Sequence, residues 1–166
     1  MKTFLHLTSR FCVLLLFALI FSSCKKKFDF TKKDELPAET QRGADTFGCL
    51  IDGKIYTPDG VFGFPALISS LQYRILDLRS TRKSTNEAIG LPLRNMTAVG
   101  EYAITSEMGY SSPDLDYKAV DGKITITKYD VANNIVSGRF YFTAKNEKAG
   151  KTVSITDGRF DVHFTN

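Results

Sequence analysis

Three thiols and two imidazoles are the groups in this sequence best suited to nucleophilic chemistry, and their positions separate them. Cys12 lies inside an unbroken apolar run from Phe11 to Phe21, FCVLLLFALIF, with His6 just before it. Cys24 follows that run directly behind Ser22 and Ser23. A thiol in that setting can take a lipid: its sulfur attacks the diacylglycerol donor, and small residues ahead of it fit the peptidase that then cuts before the cysteine. Cys49 and His163 remain for the body of the chain. Such a pair could serve as nucleophile and base if a third group oriented the ring. The pattern argues otherwise, because Cys49 alternates in step with Phe47 and Ile51, as a small buried hydrophobe does. His163 alternates in step with Arg159 and Asp161, as a solvated strand position does.

Other chemistries fare less well. One histidine and one free thiol fall short of the three or four nitrogen and sulfur ligands of a zinc site. Asp114-Leu115-Asp116 offers calcium two carboxylates without the glycine turn and distal glutamate of an EF-hand loop. Glycoside hydrolysis needs two carboxylates at a set separation. Glu101, Glu107, Asp114, Asp116 and Asp121 show no spacing that singles out a pair, and they read as surface charges. Neither a GxxxxGK(S/T) phosphate loop nor a GxSxG elbow occurs, so no catalytic residue, metal or cofactor is assigned. An apolar stretch, VFGFPAL from Val61 to Leu67, is the remaining candidate: Phe62 and Phe64, set between Gly63 and Pro65, could line the mouth of a ligand cavity. The plainer reading is an edge strand or a loop packed over one end of the core.

The N-terminal segment supplies an address. Lys2 and Arg10 precede the apolar run, and eleven residues of helix rise only about 16 Å against a hydrocarbon core of roughly 30 Å. A removable export signal therefore fits better than a permanent span. The residues Ile20-Phe21-Ser22-Ser23-Cys24 resemble the bacterial lipobox, with Phe21 where leucine is usual. The chain then divides into a signal peptide over 1–23, a lipidated flexible tether over 24–43 with Lys25, Lys26, Lys27 and Pro37, and one domain over 44–166. The alternative is an ordinary signal peptide with an incidental cysteine, which would leave the mature protein soluble.

Two of the 22 basic residues lie in the first 23, leaving 20 against 18 acidic. A nearly neutral body argues against nucleic acid, which requires a concentrated basic face. With Cys12 removed and Cys24 lipidated, Cys49 is left alone and no internal disulfide can form. Thirteen Phe, seven Tyr and no Trp suit a pleated, aromatic core.

The elements that must position these groups are short and extended. Asp52-Gly53 between Phe47–Ile51 and Lys54–Thr57 is a strong hairpin signal. Further runs are expected at Leu71–Arg79, Glu87–Leu93 and Gly100–Thr105, with an exposed loop over Tyr110–Asp116 and another extended piece over Tyr117–Val120. Period-two alternation follows at Ile124/Ile126, Phe140/Phe142, Val153/Ile155 and Phe160/Val162/Phe164. The expected fold is all-β, an antiparallel β-sandwich or alternatively an up-and-down β-barrel. Gly-Arg-Phe occurs at 138–140 and again at 158–160, too short to claim a repeat.

The stretches LPAETQRGADTFGCLIDGKIYTP (Leu36–Pro58), SGRFYFTA (Ser137–Ala144) and VSITDGRFD (Val153–Asp161) resemble a family of small uncharacterised Bacteroidetes lipoproteins. The resemblance implies a β-rich domain behind a lipobox and carries no catalytic residues. Surface lipoproteins of that group usually have acidic residues after the cysteine. The three lysines here point instead to an outer-membrane anchor facing the periplasm, or simply to contact with anionic head groups. The expected function is that of a non-catalytic binding or structural module anchored to the envelope membrane, its protein, glycan or small-molecule partner unspecified. A carrier of a small apolar ligand and a glycan or peptide hydrolase are the alternatives.

Overall fold

The Asp52-Gly53 pair does what its residue types predict. Both sit at positive φ, 48° and 77°, and the two-residue turn folds β1 (Thr46–Ile51) onto β2 (Lys54–Tyr56). The structure, a computed structural model, describes residues 35–60 and 65–166. The remaining strands are β3 (Leu67–Gln72), β4 (Ile75–Arg82), β5 (Glu87–Leu93), β6 (Gly100–Ala103), β7 (Gly109–Ser111), β8 (Asp116–Asp130), β9 (Ile135–Asn146) and β10 (Lys151–His163). The all-β, antiparallel expectation holds. All ten strands join one sheet in the order β2-β1-β10-β9-β8-β7-β5-β4-β3, with β6 on β8, and the sheet curls into a half-barrel. The chain end closes part of the gap: Leu71 N–H donates to the Thr165 carbonyl at 2.8 Å, and Thr165 N–H to that of Ser69 at 3.1 Å.

Two elements differ from expectation. Leu71–Arg79 is the end of β3, a turn, and β4, because Tyr73 and Arg74 adopt φ of 51° and 64° without the glycine or asparagine that announces such turns. Within the expected loop 110–116, Tyr110 and Ser111 pair with β5 and β8 as part of β7. One strand can take two partners on the same edge because it bends: β8 pairs β7 through Asp116–Lys118 and β6 through Lys123–Ile126. Bulges near 120 and 127 and Gly122 at φ 142° provide that bend.

The concave side is filled by inward-facing side chains. Phe47, Phe140, Phe142 and Phe160 form the aromatic centre, with Phe140 5.2 Å from Phe47 and 6.2 and 6.4 Å from the other two rings. The two Gly-Arg-Phe tripeptides meet here. Gly138 pairs with Phe160, Arg139 with Arg159 and Phe140 with Gly158, so each phenylalanine ring covers the other strand's glycine. A Cβ on Gly158 would lie 2.6 Å from the Phe140 ring, and one on Gly138 2.7 Å from Phe160. Alternation then places both arginines on the outer face.

Of the tether expected over 24–43, the described part, 35–43, is a strap docked along that outer face. The cause is Asp161, a buried carboxylate that accepts five hydrogen bonds. Thr40 Oγ1 donates at 2.5 Å, Ser137 Oγ at 2.7 Å, and the amides of Arg42, Gly43 and Ala44 at 3.1, 2.9 and 3.1 Å. Burial alone raises the pKa of Asp161, but the donors from Thr40, Ser137, Arg42 and Gly43 reverse this and hold it well below the usual carboxylate range. A depressed folded pKa stabilises the fold above the unfolded value of about 4, and that stabilisation is lost as the pH falls below it. Asp161→Asn, which cannot ionise, is expected to cost about 3 kcal/mol at pH 7. The gap from the wild type should narrow in urea denaturation at pH 3, and an equal gap at both pH values would contradict this role.

Candidate functional site

At one end of the half-barrel the turns β1–β2 and β4–β5 flank a cleft of about 370 Å³, lined by Ile51, Lys54, Tyr56, Arg82, Glu87, Tyr110 and Tyr117 among others. Each polar group is placed by its strand. Tyr56 ends β2 pointing inward, and its hydroxyl lies 3.1 Å from Ser80 Oγ on β4, a fully buried contact. Arg82 closes β4, with its guanidinium carbon 4.8 Å from the centre of the Tyr56 ring. Its Nη2 donates to the Ile55 carbonyl at 2.9 Å and its Nε to that of Thr57 at 3.0 Å. Glu87 opens β5, 3.8 Å from Arg82 Nη1, with both side chains only 18 % exposed. Tyr110 donates to Glu87 Oε1 at 2.5 Å, and Thr85 Oγ1 donates to Oε2. The Tyr110 ring packs 5.6 Å from that of Tyr117.

The electrostatics keep the two phenols of the cleft in their neutral form. Burial pushes the Tyr56 phenol upward, against the hydrogen bond it shares with Ser80. Burial also raises Tyr110, reinforced by its bond to the Glu87 carboxylate and that group's charge. Both phenols therefore stay protonated at physiological pH, and Tyr110 donates to Glu87. Arg82 is held on two carbonyls, which leaves Nη1 directed toward Glu87. The cleft presents aromatic faces, one fixed cation and one carboxylate, already positioned.

A family model described as a domain of unknown function (DUF6252) matches residues 74–162, just over half of the chain. The chain belongs to the DUF6252 family. The matched stretch brings Ser80, Arg82, Glu87, Tyr110 and Tyr117 to the cleft, and Asp161 to the strap. Tyr56 and Cys49 lie outside it. No curated protein and no solved structure matches the chain.

The fold keeps the candidate nucleophile and base apart. Cys49 is fully buried on the inner face of β1, and burial pushes its thiol up to about 12, against the pull of Arg82. His163 is on the outer face of β10, its Nδ1 3.3 Å from Asp45 and its ring against Gly43. Of the five candidate acids, Glu101, Glu107 and Asp121 lie apart, while Asp114 and Asp116 line one groove. Glu101 pairs with Lys123, Glu107 with Arg94, Asp116 accepts from Ser111, Asp121 accepts from the Gly122 amide, and Asp114 lines that groove with Leu115. Among the described residues no group of three His, Cys, Asp or Glu side chains is gathered for a metal. Cys24, Phe62 and Phe64 lie outside the described residues.

Sequence reasoning missed Arg82, Glu87 and Tyr110. Arg82 and Glu87 flank the four-residue turn 83–86, a hairpin-end pairing that alternation can suggest. Tyr110 was hidden in a segment whose Pro113 and aspartates read as loop. In a chain with Cys49 as its only thiol (Cys12→Ser, Cys24→Ser), native protein is expected to resist a thiol reagent at pH 8 and to react fully in denaturant. Fast native labelling would show an exposed, ionised thiol and reopen covalent chemistry.

Proposed function

We propose that this chain is a lipid-anchored lipoprotein of the bacterial envelope, of the Bacteroidetes type, held on the periplasmic face of the outer membrane. Its half-barrel binds a small polar ligand without transforming it. The observation that carries the binding reading is the cleft itself, where Arg82, Glu87, Tyr56 and Tyr110 are fixed by one another beside the aromatic face of Tyr117. Such preformed sites combine apolar walls with a few placed polar groups. The ligand that fits has one apolar face to lie on the tyrosines and oxygens to accept from Arg82 Nη1 and Lys54.

The anchor rests on the lipobox-like Ser22-Ser23-Cys24 and the apolar run before it. Ten residues, 25–34, separate Cys24 from the first described residue of the strap, a reach of at most about 35 Å of extended chain. The two or three acyl chains of a bacterial lipoprotein give stable attachment. An apolar carrier is less favoured, because the concave side is occupied by the packed rings of Phe47, Phe140, Phe142 and Phe160.

Two measurements test the two halves of this reading. Cys24→Ala is expected to lose the lipid adduct in mass analysis and to leave the membrane fraction on detergent-free extraction, whereas unchanged mass and retention would refute the anchor. For the cleft, NMR titration with neutral monosaccharides as probes is expected to shift Ile55, Arg82, Tyr110 and Tyr117 together. Arg82→Gln should weaken that response about tenfold, the loss of one charged hydrogen bond. Shifts confined to other surfaces, or undiminished in Arg82→Gln, would refute the site.

A further inference from the structure

We infer that the outer face of β9 and β10 holds a second site, a seat for a phosphate group formed by Arg139 and Arg159 beneath the strap. The reciprocal pairing of the two Gly-Arg-Phe tripeptides sets these arginines directly opposite one another. Like charges at opposed positions of an antiparallel pair are destabilising, and here the phenylalanines inside leave the arginines no other face to occupy. The strap turns the pair into a hollow of about 220 Å³, walled by Glu39, Thr40, Gln41 and Thr127 with the two arginines.

The charges in that hollow are unequal. Arg139 donates through Nε and Nη2 to one oxygen of Glu39, at 2.8 and 2.5 Å. Among the described residues, half-buried Arg159 reaches only neutral acceptors, the carbonyls of Pro37 at 3.4 Å and Asp157 at 3.3 Å. Two guanidiniums thus face one carboxylate. Both hydrogen bonds of Arg159 are long, so it can turn toward a better acceptor. A guanidinium fork matches the oxygens of a phosphate in pairs, which a lysine cannot do. Glu39 occupies the position of an internal competitor, holding Arg139 until a more highly charged oxyanion arrives. The site depends on neither the cleft nor the lipid on Cys24. Its ligand is a phosphate group, either on a soluble phosphate or phosphoester or on a phospholipid head group.

The test follows the Arg Nε–H resonances of the full-length chain in non-ionic detergent micelles. The micelles are titrated first with inorganic phosphate and then doped with phosphatidylglycerol. Arg139 and Arg159 are expected to shift together and saturate. Arg139→Gln and Arg159→Gln should each weaken the response about tenfold or more, Glu39→Gln should strengthen it severalfold, and Arg79→Gln on β4 should leave it unchanged. Saturation by inorganic phosphate in undoped micelles identifies a soluble phosphate as ligand, and a response only in doped micelles identifies the lipid head group. Should Arg159→Gln fail to keep the wild-type amide spectrum, Arg159→Lys replaces it, keeping the charge without the fork and giving an intermediate loss. No shift with either probe, or an undiminished response of the remaining arginine when its partner is replaced, overturns the proposal.

Discussion

One buried carboxylate organises the outer face of this protein. Asp161 sits in a strand whose neighbours Phe160 and Val162 face the core, so alternation aims it outward, where a lone carboxylate would ordinarily be hydrated. It is dry because the strap covers it, and the strap stays because Asp161 collects one hydroxyl and three consecutive amides from residues about 120 positions away, beside a second hydroxyl from Ser137 on β9. Three amides can converge on one side chain only if the backbone curls around it. Gly43 at φ 72° makes that curl, and its missing Cβ leaves room for the His163 ring. Removing the carboxylate would leave those donors facing an apolar gap, the expensive half of any buried hydrogen-bond pair.

What the strap fixes extends inward. It delivers the chain to Thr46 opposite Asp161, which sets the register of β1 on β10 and with it the inward direction of Phe47 and Cys49. It also lays Pro37 over Gly48, where a Cβ would lie 2.5 Å from the proline ring. The floor beneath is self-complementary: two tripeptides exchange a ring for a glycine across the β9–β10 pair. Rings over glycine let the sheet curl without opening a void, and bulges in β8 and β10 supply the rest of the curvature. The cleft exists because this curl brings β2 and β4 within hydrogen-bond reach at Tyr56 and Ser80.

Much of the fold was legible. Period-two alternation located the long strands because one face of each is buried, and Asp-Gly announced the first hairpin because only such residues accept positive φ cheaply. Tyr73 and Arg74 make the same kind of turn without that signature, since their strands are held by pairing along β3 and β4. Asp161 was illegible for a different reason. Between Arg159 and His163 it has the pattern of a solvated position, and its partners lie at the other end of the chain, in a stretch rich in charge and lacking periodicity. The cleft likewise draws on β2, β4, β5, β7 and β8, so no local spacing could reveal it. The two Gly-Arg-Phe phrases were visible, but only the antiparallel register shows that they face each other.

The two candidate sites differ in how their polar groups are satisfied, and that difference assigns their chemistry. In the cleft, Tyr56 meets Ser80, Tyr110 meets Glu87 and Arg82 meets two carbonyls and Glu87, so nearly every strong donor and acceptor already has a partner of matching charge. A ligand there gains chiefly from shape and aromatic contact, with polarity setting orientation, which suits a neutral molecule. On the outer face the arginines exceed the carboxylate that serves them, and Arg159 is left on distant carbonyls. That excess of charge is fixed by the core, because exchanging inner and outer residues on either strand would bury a guanidinium among the phenylalanines. The packing that stabilises the half-barrel therefore also obliges it to display a paired cation, of which Glu39 in the strap neutralises one member.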